Sequence, residues 1–245
     1  MASTYRALGP VRVIETISLL HHRIAERFPG AGLTNVCAEL LVLAGESSSR
    51  AESMARRNLP LRIAILALIA AGVGGLVWIT LLLLGSVSST ADNVYSVLQG
   101  VEAAANLTVL IGAAVFFLTR IEERLKRRSA LNALHELRSI VHVIDMHQLT
   151  KDPSSAISVG GKTPSSPART MSRFELTRYL DYCSEMLSLT AKVAVLFAQG
   201  FPEPAVTGAV SDIERIAAGL SQKIWQKIII LEALGPESGQ AAARQ

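Results

Sequence analysis

Cysteine is almost missing from this chain: two thiols, Cys37 and Cys183, occur in 245 residues. Both fall in segments expected to be cytosolic, where reduced thiols packed as small apolar groups are the ordinary state. Two isolated cysteines make a poor zinc site, so no metal or other cofactor is expected. Aromatic residues are scarce too, at 5%, and they are not interleaved with basic ones. That removes the stacking platform of single-strand binders, and no nucleic-acid partner is expected despite a formal net charge of +4.

Catalytic motifs are also lacking. Gly72-Val73-Gly74-Gly75 lies inside an apolar run, and Gly160-Gly161-Lys162-Thr163 lacks the first glycine and the spacing of a phosphate loop. There is no nucleophile elbow, zinc motif or kinase set, so the chain is not expected to be an enzyme. The first twenty residues have no long apolar core followed by a small-residue cleavage site and do not read as a signal peptide. No solenoid repeat is present.

The absence with most consequence is that of lysine and arginine, none of which occurs between residues 63 and 119. Within that window Ile63 to Leu84 is uncharged and spans about 30 Å as a helix at roughly 1.5 Å per residue. Residues 103 to 119 form a second, shorter uncharged run, and a full span draws in Val101 and Glu102. The expectation is a two-span transmembrane helical hairpin at 59–120. Arg56, Arg57 and Arg62 precede the uncharged runs, and Arg120, Arg124, Lys126, Arg127 and Arg128 follow them. By the positive-inside rule both termini are cytosolic, the localisation is a multi-pass cell membrane, and the basic flanks meet an anionic inner leaflet.

The remaining segments carry helical periodicity. Residues 1–58 read as a cytosolic helical hairpin: Ile14, Ile17, His21 or Leu20, Ile24 and Phe28 form one stripe, and Leu33, Val36, Cys37, Leu40, Leu41 and Ala44 the next. Pro10 suits a first helical turn, and Thr34 or Asn35 is placed to cap the second helix. The second span has no stop signal, so its helix is expected to continue through 121–149 with Leu134, Leu137, Val141 and Ile144 on one face. Residues 150–170 read as a flexible Ser/Pro/Gly linker. A C-terminal hairpin follows at 171–234. Phe174, Tyr179, Cys183 and Leu187 mark the apolar surface of its first helix. Val210, Ile213, Ile216, Leu220, Ile224, Ile228 and Leu231 mark its second, with Trp225 as an anchor. Residues 235–245 read as a disordered tail. The fold class is therefore all-α, an antiparallel cytosolic bundle beneath a membrane hairpin.

Three groups of residues stand out. Ala71 with Gly75 and Thr108 with Gly112 repeat small residues at a spacing of four, which lets helices approach closely in lipid. Glu102 and Asn106 share a face near the outer end of the second span and form a candidate membrane polar site. His135, Arg138, His142 and Asp145, at spacings of three, four and three, share another face. Two histidines seven apart with an arginine between them do not suit one metal ion, so this face reads as a polar seam or a solvated surface. Arg173, Glu175, Arg178, Asp181 and Glu185 are the candidate partners for such a seam. The functional expectation is a membrane-tethered interaction or scaffold module that self-associates and engages a cytosolic protein partner. The rival expectation is a small homo-oligomeric ion channel or pore-forming effector lined by the second span.

Overall fold

A computed structural model describes residues 7–55, 59–85, 92–151 and 171–233. Among the described residues there are six helices and no strand: α1 (Pro10–Arg27), α2 (Gly32–Ala55), α3 (Leu59–Gly85), α4 (Asp92–Leu149), α5 (Arg173–Gly200) and α6 (Pro204–Ala233). The expected linker at 150–170, apart from Thr150 and Lys151, lies outside the described residues, as do the tail at 235–245, Arg56, Arg57 and residues 86–91. The chain divides into two units, Met1–Ala55 with Arg127–Gln245, and Arg56–Lys126.

The first unit is a helical bundle with α5 at its centre. α5 packs against α6, α2 and α1, and α1 against α2. The burial follows alternating steps of four and three along each helix, the pattern that keeps one stripe facing a core. It runs through Val13, Ile17, Leu20 and Ile24 of α1, and through Leu33, Cys37, Leu40, Ala44, Ser47, Ala51 and Met54 of α2. α4 contributes Leu134, Leu137, Val141 and Ile144. α5 buries a wider arc, including Tyr182, Met186 and Phe197, as a helix with neighbours on several sides must. The serine run at 47–49 does not interrupt α2, because Ser47 is small enough to sit in the core at a stripe position.

Local signals fix the helix ends. Pro10 occupies the first turn of α1. Phe28 closes it by donating its N–H to the Ile24 carbonyl at 2.8 Å, and Gly30 turns the chain with φ of 77°, a conformation glycine adopts without strain. α5 opens on a capping box in which the Ser172 hydroxyl accepts from the Glu175 N–H and the Glu175 carboxylate accepts from the Ser172 N–H. Glu203 accepts from the N–H groups of Ala205 and Val206 at the start of α6 and pairs with Arg127 of α4 at 3.3 Å.

Three local expectations are corrected. α2 begins at Gly32, so Thr34 and Asn35 lie within its first turn rather than at its cap. The Thr34 hydroxyl is buried without a hydrogen-bond partner. Trp225 is 57% exposed, because Ile224 and Ile228 take the buried stripe and leave it a quarter-turn round the helix. Phe174 is 62% exposed, with Arg27 stacked 5.3 Å from its ring centre.

In the second unit the side chains of α3 and of the first part of α4 are apolar and largely exposed. Among the described residues one helix, Leu98–Leu149, is long and apolar enough to cross a membrane. Its most apolar window has a mean hydropathy of 1.9 and none of it is buried. A second apolar helical stretch, Arg62–Trp78, is shorter. α3 meets α4 where Gly72 faces Ile111: a Cβ on Gly72 would overlap Ile111 Cδ1.

Candidate functional site

The face His135, Arg138, His142 and Asp145 does not form a seam with α5. The first three are exposed, and half-buried Asp145 accepts from Gln148 Nε2 at 2.6 Å. The α5 charges are engaged elsewhere. Arg178 pairs with Asp181 at 2.9 Å, Glu185 with Arg23 at 2.5 Å, and Glu175 caps its own helix. His135 and Arg138 instead border a groove of about 110 Å³ shared with Ala209, Asp212 and Ile213 of α6. Asp212 is itself paired with Arg215 at 2.7 Å. Among the described residues no three His, Cys, Asp or Glu side chains are grouped to hold a metal.

The bundle does bring polar groups together at the C-terminal end of α4, around His147. His147 Nδ1 lies 3.3 Å from the Tyr179 hydroxyl, and its ring packs against Gly32, where a Cβ would come within 2.8 Å of Cε1. The next residue, Gln148, is buried. Lys227 donates to its side-chain oxygen at 2.6 Å and to its backbone carbonyl at 3.0 Å, satisfying one of the last carbonyls of α4. The Lys151 ammonium stands 5.3 Å from the Tyr179 ring centre. Burial, and then Lys151, lowers the His147 pKa, while burial raises that of Tyr179. Burial pushes Cys183 up to about 12 against the opposing pull of Lys227 and Lys151. Cys37 is likewise pushed to about 12 by burial. Groups held in these forms supply no thiolate or phenolate nucleophile at neutral pH. The cluster acts as a clasp that ties α4 to α2, α5 and α6.

An open cleft of about 610 Å³ lies between α1 and the start of α5. Arg23, Arg27 and Arg178 line it, and Arg23 and Arg178 both stand over the Tyr182 ring, at 5.8 and 5.3 Å. Glu26 and Glu175 line it as well, and Glu185 and Asp181 hold two of the arginines. Four carboxylates against three guanidinium groups leave no net positive charge, so the cleft is not an anion trap.

In the second unit a groove of about 390 Å³ runs between α3 and α4, lined by Gly72, Val73, Leu76, Thr108, Ile111 and Gly112 among others. Thr108, which lines the groove, donates its hydroxyl back to the Ala104 carbonyl at 2.8 Å. Thr108 and Gly112 therefore border the α3–α4 contact. Ala71 is exposed, and a Cβ on Gly75 or Gly112 would meet nothing within 4 Å. Glu102 and Asn106 are exposed and do not line this groove. Glu102 is nine residues, about two and a half turns, from Ile111, which places it on the side of α4 away from α3. Of the basic flank, Arg62, Arg124 and Arg128 are exposed, Arg120 pairs with Glu123 at 3.2 Å, Lys126 with Glu122 at 2.9 Å and Arg127 with Glu203.

No protein-family model matches this chain, and no curated protein or solved structure matches it either.

Proposed function

We propose that the chain is a two-span integral membrane protein whose helical bundle serves as a cytosolic interaction or scaffold module, and that it self-associates through its membrane helices. The observation that carries this reading is that no described side chain of α3 or of the first part of α4 is buried, although most are apolar, while the bundle has its own core. Ile63, Leu66, Val73, Val77 and Trp78 are exposed over about 140° of arc, and even Ile65, Leu68 and Leu76, on the side of Gly72, are only half-buried. A surface of that kind is stable in lipid and aggregates in water. The α3 helix, Leu59–Gly85, covers the uncharged run Ile63 to Leu84 and is long enough to span about 30 Å. The arginines and Lys126 flanking 63–119 set both termini in the cytosol, against the anionic inner leaflet. A binding role fits the clasped polar groups of the bundle, whose thiols are held protonated.

The channel reading draws on Glu102 and Asn106, which face away from α3 and would line a pore if copies of α4 surrounded an axis. The deciding experiment is cation flux through purified protein in liposomes, wild type beside Glu102→Gln. The scaffold reading expects flux no higher than that of empty vesicles for both. A robust cation current that falls on this substitution replaces the scaffold with the channel.

A further inference from the structure

On α4, Tyr95, Gln99, Glu102 and Asn106 follow at steps of four, three and four and fall within about 60° of arc at 100° per residue. All four are exposed, Tyr95 by 80%. The groove and the Gly72 contact with α3 engage the opposite face, through Leu107, Thr108, Ile111, Gly112 and Val115. Measured along the helix from Arg120, Asn106 stands about 21 Å away, Glu102 about 27 Å and Gln99 about 31 Å. With the basic flank at the inner boundary of a core about 30 Å thick, Asn106 and Glu102 lie inside the hydrocarbon and Gln99 at its outer edge. Tyr95 then sits in the interfacial belt that aromatic residues favour.

We infer that this polar stripe is the face through which α4 pairs with α4 of a second copy of the chain. The inference rests on the membrane hairpin proposed above and names its contact surface. Acyl chains offer polar side chains no hydrogen bonds, and α3 is on the wrong side to provide them. A second copy supplies what is missing. Copies inserted with one topology have parallel α4 helices, so equivalent residues meet at equal depth across a two-fold axis. The amides of Gln99 and Asn106 each carry donors and an acceptor, so each complements its own image. The Glu102 carboxylate has amide donors of the other copy one turn above and one turn below it. Towards the inner leaflet the same face continues as Val109 and Ala113, apolar and small enough for close approach.

The test uses the full chain in phosphatidylcholine vesicles containing phosphatidylglycerol. Both native thiols are buried, so oxidation of the wild type provides the blank. Gln99→Cys and Asn106→Cys should cross-link into dimers under oxidation, whereas Leu107→Cys, on the groove side, should not. Asn106→Leu and Gln99→Leu, which leave the helix intact, should each weaken association about threefold by energy transfer between labelled copies. Cross-linking at Leu107 alone, or association unchanged by both leucine variants, overturns the stripe as the contact and leaves self-association standing. Energy transfer no higher than that of randomly dispersed monomers removes self-association itself and the inference with it.

Discussion

Leu231 of α6 is 1% exposed and Leu66 of α3 is 65% exposed, although both sit in helices rich in apolar residues. The contrast holds throughout the two units. In the bundle apolar residues recur at steps of three and four with charged residues between them, and the recurring set is buried. In α3 and the first part of α4 the apolar residues occupy every face, and none of those described is buried. Hydrophobic content alone does not separate the two, but its distribution around the helix axis does. A stripe is an instruction to pack against protein, while an unbroken cylinder suits a surrounding that is itself apolar.

The largest expected effect tests that distinction directly. Phe197 is fully buried in the central helix α5. Phe197→Ala should destabilise the bundle by about 3–5 kcal/mol, from lost burial and the cavity left behind. Leu66→Ala removes a comparable apolar side chain from the other unit and should change bundle stability by less than about 0.5 kcal/mol. Hydrogen exchange of the α5 amides in detergent micelles measures both. Equal losses of protection would mean that the hairpin and the bundle share one cooperative core.

A smaller effect comes from comparing glycines. A Cβ on Gly200 would lie 2.8 Å from the backbone carbonyl oxygen of Ala51, where α5 meets α2 and little can move aside. Gly200→Ala should therefore cost the bundle about 1–3 kcal/mol, as overpacking does. Gly74 of α3 has nothing within 4 Å of the added atom. Gly74→Ala should leave chemical denaturation of the bundle unchanged and leave the hairpin intact. A destabilised Gly74→Ala variant would show that this face of α3 is packed against a further surface.

How much of this was legible in the sequence depended on whether a helix had a polar face. In α1, α2 and α6 charged residues define one side, and the stripes Ile17–Ile24, Leu33–Cys37–Leu40–Ala44 and Val210–Ile213–Leu220 are buried as their spacing predicts. The large aromatics misled, because size suggested burial where phase decided it: Trp225 and Phe174 stand off their stripes and are exposed. In α3 nothing polar fixes the rotation of the helix. Several small residues recur at the same spacing, so periodicity gave no means of singling out Gly72 as the residue against Ile111. The clasp at the end of α4 was illegible for another reason. His147 and Tyr179 are 32 residues apart, and Gln148 and Lys227 are 79 apart. Only packing reveals such pairs.

That clasp gives the smallest of the expected effects, and one confined to the bundle. A protonated His147 would stand beside the Lys151 ammonium, and Lys227 engages the adjacent Gln148. The nearest acidic side chain on its own helix, Asp145, is already hydrogen-bonded to Gln148. Among the described residues no carboxylate lies within ion-pair distance of its imidazole. The folded state therefore holds the ring neutral and lowers its pKa from the ordinary 6.5, through burial first and Lys151 second. The sign follows from proton counting. Below 6.5 the unfolded chain takes up a proton that the folded chain refuses, so stability declines as pH falls from 6.5 to the lowered value and is constant beneath it. Above 6.5 the group contributes nothing to the pH dependence. His147→Gln, which retains a polar side chain without a titrating ring, should flatten the profile below pH 6.5 and leave it unchanged above. Denaturation midpoints of the two proteins on both sides of that value provide the measurement, with exchange protection of the last turn of α4 as a local readout. Parallel profiles would show that the imidazole is already solvated and that Tyr179 and Lys227 hold the helix end without it.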